Sequence, residues 1–190
     1  MGPIKIENVI VASHLGKKVE LIKLATELPN ARYSSSGNPS VIIELERPNH
    51  KFIGNKRLKA AGVLFSNGKV IITGIASLDE GKKIMANLKN SIKDVDSKVN
   101  MKRAIKIENM VTTTDFNKKL DLLTISHSIP GSEYDPSRFQ GLVIRTNEPL
   151  ASFILFETGI AIITDIMSEA KAKKAYNELK RFMIKANVIS

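Results

Sequence analysis

The sequence predicts an α+β protein built from one unit used twice, and three observations carry that prediction. The string IKIEN occurs at Ile4–Asn8 and again at Ile105–Asn109, an offset of 101 residues. VLFSNGKVIIT (Val63–Thr73) matches ILFETGIAIIT (Ile154–Thr164), now at an offset of 91. Each half ends on a stretch whose apolar residues follow helical spacing, while the segments ahead of it are β-rich and punctuated by turn residues. Two copies cannot stack into an array, so this is duplication with divergence rather than a solenoid.

Each copy runs through the same elements. A strand (IENVIVAS; IENMVTTT) leads to an amphipathic helix, with Val19, Leu21, Ile22, Ala25 and Leu28 as its apolar set in the first copy. The offset of 101 also carries KKVEL onto KKLDL and Tyr33 onto Tyr134. A short Tyr-containing segment, three β-rich stretches and a closing helix follow. SLDEGKKIMANLKNSIK opens with Ser77 and Glu80 at capping-box spacing, then sets Ile84, Met85, Leu88 and Ile92 on one face. SEAKAKKAYNELKRFMI lacks that box and makes its face from Ala172, Ala175, Tyr176, Leu179 and Met183. Residues 1–98 form the first copy and 99–190 the second, with Asp94–Arg103 as a charged connector between them. The change of offset places about ten extra residues between Val41 and Val63, and Asn49–Ala60 is the candidate insertion.

Composition narrows the function. The chain has 190 residues, 43% apolar and 25% charged, with a net charge of +10 and no cysteine. Without thiols there is neither a disulfide framework nor a thiolate metal site, as fits a reducing compartment. The basic balance favours a polyanionic partner, nucleic acid ahead of an acidic membrane, because no strongly amphipathic terminal helix offers itself. No window reaches the roughly 18 apolar residues of a membrane span, and MGPIKIEN does not read as a secretory signal. Catalysis needs convergent acid–base or nucleophilic groups. His14, His50 and His127 fall in different elements, no phosphate loop or serine elbow appears, and Glu133 with Asp135 reads as a surface pair. No enzyme, metal or cofactor is expected.

The stretch RFQGLVIRTNEPLASFILFETG (Arg138–Gly159) poses the sharpest question. A strand with one wet face alternates apolar and polar residues, but this hairpin is apolar on both. Phe139, Val143, Ile154, Phe156 and Ile162 share one face, and Leu142, Ile144, Phe153, Leu155 and Ile163 share the other. If helices cover the second set, the first is an exposed apolar patch that implies a large partner. Helices on both faces, or two sheets in a sandwich, would account for it equally well.

The ordered motifs IKIENMVTTTDF, LDL, SEYDPSRFQGLVIRTNEP and FILFETGIAIIT resemble the repeat of the TATA-box-binding protein family. The resemblance runs over essentially the whole chain as two tandem copies, the second clearer than the first. It implies a pseudo-twofold saddle: one curved ten-stranded antiparallel sheet, four helices on its convex side and double-stranded, A/T-rich promoter DNA under its concave side. It also implies a general transcription initiation factor that binds the minor groove, bends the duplex and recruits a transcription factor B-type protein. The alternative is a diverged paralogue acting mainly through protein partners or at atypical promoters. Such a protein would be DNA-associated, nuclear in a eukaryote or in the cytoplasm (nucleoid) of an archaeon.

Site residues follow from the same resemblance. Phe139 and Phe156 match the pair that wedges into a base step; Asn8 and Asn109 match the asparagines that donate to base edges near the dyad. Ile10, Ala12, Val63, Phe65, Ile71, Thr73, Val111, Thr113, Val143, Ile154, Ile162 and Thr164 match the remaining groove positions. Lys69 and Arg145 match phosphate contacts, which position a protein without reading sequence. Glu133, Asp135, Glu148 and Pro149 match the region that docks the B-type factor. The first copy departs from the pattern: Asn38 stands where the second has Phe139, and Glu44 where it has Arg145. Leu150, Ile160 and Ala76 occupy places where the family often has lysine, and Asp165 replaces a glycine. The insertion carries Lys51, Lys56, Arg57 and Lys59, so it either grips flanking phosphates or a partner in compensation, or is a solvated loop.

Overall fold

The computed structural model describes residues 1–48, 52–53, 56–101 and 103–189, of which 52–53 and 56–57 are described by their backbone alone. Residues 49–51, 54 and 55 of the Asn49–Ala60 insertion, Lys51 among them, therefore lie outside the described residues. The chain divides into two units, Asn8–Glu108 and Met1–Glu7 with Asn109–Ser190.

The first unit contains β1 (Lys5–His14) from Asn8 onward, α1 (Leu21–Glu27), β2 (Ala31–Ser34), β3 (Ser40–Glu46), β4 (Phe52–Ile53), β5 (Lys56–Arg57), β6 (Lys59–Phe65), β7 (Lys69–Ile75) and α2 (Leu78–Val95). Its strands hydrogen-bond in the order β2-β3-β6-β7-β1, every pair antiparallel, with β4-β5 as a separate two-residue ribbon. The second unit contains β8 (Lys106–Asp115) from Asn109 onward, α3 (Leu122–Ser128), β9 (Gly141–Asn147), β10 (Leu150–Phe156), β11 (Ile160–Ile166) and α4 (Glu169–Lys185). Its order is β8-β11-β10-β9, again antiparallel.

Five strands and four make nine, not ten. The segment matching β2 is reduced to one bridge, Glu133 with Val143, which exchange backbone hydrogen bonds of 2.8 and 2.9 Å. The reason is local. Gly131 turns the chain just before it at φ +78°. Just after it, Asp135 gathers the Ser137 amide and hydroxyl on Oδ1 while its carbonyl accepts from the Arg138 and Phe139 amides. An Asx turn at this point competes with continued strand pairing.

The extra residues lie where the two offsets require. β3 and β6 are separated by residues 47–58, whereas Glu148 and Pro149 alone join β9 to β10. Arg47, at the start of the long connection, makes a fork to Glu80 of α2 at 2.6 and 2.9 Å, with both side chains nearly buried.

Helices cover one face of the strands in each unit. Val9, Val11, Val41, Ile43, Leu64, Val70 and Ile72 are at most 3% exposed in the first, and Leu142, Ile144, Phe153, Leu155 and Ile163 at most 2% in the second. In α2 the Ser77 hydroxyl accepts from the Glu80 amide, as a capping box requires, but the Glu80 carboxylate reaches the Ala76 amide rather than that of Ser77. Ser168 caps α4 without a carboxylate partner in the motif. The apolar faces of α2 and α4 are buried as spacing predicts, with Tyr176 half-buried and donating to the Gly2 carbonyl.

Two sequence expectations need correction. Ile22 is 71% exposed, because α1 starts at Leu21 and turns Leu21, Leu24 and Leu28 inward at i, i+3 and i+7, leaving Ile22 a quarter-turn round. The charged connector also begins later than Asp94, since α2 runs on to Val95, and within it Val99 is 2% exposed.

Candidate nucleic-acid interface

The face without helices is where the expected groove residues lie. Val143, Ile154, Phe156 and Ile162 are half-buried on the strand positions that alternate with the helix-covered set. Ile10, Val63, Phe65, Ile71, Thr73, Val111, Thr113 and Thr164 are likewise half-buried. The sandwich and two-sided alternatives are excluded for each unit. Cross-strand register ties the residues into rows. One row runs Ala12, Ile71, Val63, Ile42, Arg32. Its counterpart runs Thr113, Ile162, Ile154, Val143, Glu133. Ala12 sits in its row but is only 8% exposed, so it offers little side-chain surface.

Phe139 stands out. Its ring is 47% exposed and meets Phe156 edge-to-face, centroids 6.1 Å apart at 72°. Gly141 makes the arrangement possible, since a Cβ there would lie 2.6 Å from the Phe139 ring. Ser40, opposite Phe65, holds the place of Gly141, opposite Phe156. Register therefore puts Asn38 at the Phe139 position, and Phe65 has no aromatic partner among the described residues. The two copies are unequal at their tips.

Asn8 and Asn109 are fixed alike. Asn8 Oδ1 accepts the Gly74 amide at 2.8 Å, and Asn109 Oδ1 accepts the Asp165 amide at 3.0 Å. Each Nδ2 lies about 3 Å from a threonine hydroxyl, Thr73 at 3.0 Å and Thr164 at 3.1 Å. Gly74 and Asp165 have φ of +79° and +64° at irregularities in strand pairing. The backbone bond fixes the amide orientation, and each NH2 group keeps a second hydrogen for an outside acceptor. Asp165 tolerates the left-handed conformation better than most non-glycine residues, and its Oδ2 accepts from Ser152 at 2.5 Å.

The expected phosphate contacts both carry carboxylate partners. Lys69 pairs with Glu108 at 2.9 Å and Arg145 with Glu133 at 2.7 Å. Exposed pairs of this kind hold weakly, so a phosphate can compete for either cation. Glu44 is paired with Lys59, whose ammonium pKa is pushed up by that carboxylate. The Thr113 hydroxyl donates to Glu7 at 2.8 Å, and Glu7 is held below the usual carboxylate range by hydrogen bonds from Lys5 and then Thr113.

The four expected docking residues do not converge. Glu133 is occupied by Arg145 and Asp135 by its turn. Glu148 and Pro149 lie beyond the other end of β9, about 20 Å away at the rise of a strand. His14 and Asp115 act as turn residues, accepting the Gly16 and Asn117 amides. Among the described residues no three His, Asp or Glu side chains gather as metal ligands, and no helix is long and apolar enough to cross a membrane.

Sequence reasoning missed Arg32. The signal was present: the offset that carries Tyr33 onto Tyr134 carries Arg32 onto Glu133 and Glu44 onto Arg145, a reciprocal exchange of charge.

Comparison with known proteins agrees with this geometry. The family model described as "Transcription factor TFIID (or TATA-binding protein, TBP)" matches residues 3–95 and 104–186. The TATA-box-binding protein of Pyrococcus furiosus is 28% identical over 186 residues, covering 98% of this chain and 92% of the relative. That of Methanocaldococcus jannaschii is 33% identical over 176 residues, covering 93% and 91%. The solved structure of Methanococcus jannaschii TBP superposes with a TM-score of 0.78 at 31% identity, covering 98% of this chain and 99% of that one. The chain thus belongs to the TATA-binding protein family, whose members are non-enzymatic DNA-binding factors of transcription initiation.

Proposed function

We propose that this protein is a TATA-box-binding initiation factor that lays its helix-free faces on the minor groove of A/T-rich promoter DNA, bends the duplex and recruits a transcription factor B-type protein. Residues 1–98 and 99–190 act as its two tandem repeats. The observation that carries this is the Phe139–Phe156 pair, with Phe139 47% exposed above Gly141 and Phe156 half-buried beside it, on a face no helix covers. Unstacking a base step costs a few kcal/mol, offset by the extra surface a bent duplex contacts; minor-groove wedging by this family is a standard instance of that balance. Asn8 and Asn109 supply donors to the acceptors that A·T pairs present in the groove. Val63, Ile71, Val111, Ile154 and Ile162 supply apolar contact, and Lys69 and Arg145 exchange their carboxylates for phosphate.

Asn38 and Glu44 favour a second reading, a paralogue that engages DNA from one end and relies on protein partners. Gel-shift and end-to-end energy-transfer measurements on a TATA duplex, with and without a B-type factor, separate the two. Bending by the protein alone supports the first. Retention of DNA only when the B-type factor is present supports the second, and no association in either case refutes both.

A further inference from the structure

We infer that Arg32 is a phosphate contact of the first repeat beside Lys69, taking over the role that Glu44 cannot fill. The inference rests on the DNA-binding reading and adds a residue that reading does not supply. Arg32 ends the row Ala12, Ile71, Val63, Ile42, Arg32 on the helix-free face, at the outermost strand β2. Four strand spacings of about 4.8 Å set it roughly 19 Å from Ala12. The inner members of the row face the floor of a groove, so the outer member reaches its sugar-phosphate wall.

Charge accounts for the choice of residue. In the second repeat the same position holds Glu133, bound to Arg145 at 2.7 Å. In the first repeat the signs are exchanged, Arg32 for Glu133 and Glu44 for Arg145. Glu44 does not neutralise Arg32, because Lys59, at the place of Leu150, takes Glu44 instead. Arg32 is exposed and has no ion-pair partner among the described residues, unlike Lys59, Lys69 and Arg145. Its side chain borders an open recess of about 580 Å³ lined also by Asn8, Ile42, Glu44 and Lys59. An unpartnered guanidinium beside a recess on this face suits a phosphodiester, whose oxygens accept its fork of donors. Arg32 also answers the departure at Glu44: the cation has moved one strand outward, and the carboxylate left behind is neutralised locally.

The test is the salt dependence of binding to a fixed duplex. Each phosphate neutralised contributes a slope of about 0.9 in log affinity against log salt. Arg32→Ala should lower the slope by about that amount and weaken binding alike on A/T-rich and mixed sequences, while Arg32→Lys keeps most of the slope. Arg181→Ala, on α4 and paired with Glu178, should leave it unchanged. A single neutral methylphosphonate at the contacted position should abolish the difference between wild type and Arg32→Ala. Wild-type binding with a slope unaltered in Arg32→Ala would overturn the assignment alone. Wild-type protein that retains no DNA would overturn the DNA-binding reading and Arg32 with it. Arg32 lies on an exposed edge, so unchanged thermal melting of the variant shows that folding is not the cause.

Discussion

Removing the Phe139 ring should reduce DNA bending far more than removing Phe65, and the structure sets the size of the effect. A phenylalanine buries up to about 200 Å², and Phe139 is 47% exposed in the free protein, which leaves roughly 90 Å² of ring for a partner to cover. At about 25 cal/mol per Å² this is about 2 kcal/mol, or roughly 30-fold in Kd. The folding cost is smaller than for a core phenylalanine, since the ring touches Phe156 at its edge and rests over Gly141. Phe65 has no aromatic partner among the described residues, because Asn38 holds the Phe139 position, so its ring lacks the other half of a paired wedge. The assay is energy transfer between fluorophores at the two ends of a TATA duplex, at fixed salt, with Kd from titration. Phe139→Ala and Phe156→Ala should bring the bend angle close to that of free DNA, and Phe65→Ala should retain most of it. Equal losses of bend at Phe65 and Phe139 would refute the asymmetry. An unchanged Kd in Phe139→Ala would refute the wedge.

Three other outcomes follow from contacts in the structure. Asn109→Ala should destabilise the fold by about 0.5–1.5 kcal/mol by removing the bond from the Asp165 amide, whereas Asn109→Asp keeps an acceptor for that amide and should melt near wild type while binding DNA at least tenfold more weakly; comparing melting with titration separates the two roles. Arg47→Ala removes a fork whose members are 12% and 13% exposed, and should cost about 2–3 kcal/mol, a little under the value for a fully buried pair, read as a Tm lower by about 5–10 °C. Asp96, held below its ordinary pKa by Lys17, and Asp121, held down by the Thr124 hydroxyl and amide, have lower pKa values folded than unfolded. Their stabilisation is therefore complete above the unfolded value and disappears as pH falls through the folded one; Asp121→Asn should shallow the acid limb of a Tm–pH curve, and an unchanged limb would refute its part.

Much of this protein was legible from one dimension. Duplication, the site of the extra residues and the inward faces of α2 and α4 follow from recurrence and period, which are properties of neighbouring residues in the chain. The hairpin pattern likewise separated Leu142, Ile144, Phe153, Leu155 and Ile163 from Val143, Ile154, Phe156 and Ile162, although which set the helices would cover, and whether both, depended on packing. Partnerships between distant residues were not legible. Arg145 with Glu133, Arg47 with Glu80, Lys59 with Glu44 and the asparagine amides fastened to Gly74 and Asp165 arise from cross-strand register and from how helices meet strands. Strand count failed for a related reason, since a local Asx turn at Asp135 outcompetes pairing that propensity would permit. Chain order dictates which face a side chain takes; only the folded ladder dictates which charge stands beside it, because strand pairs join residues far apart in sequence at about 5 Å.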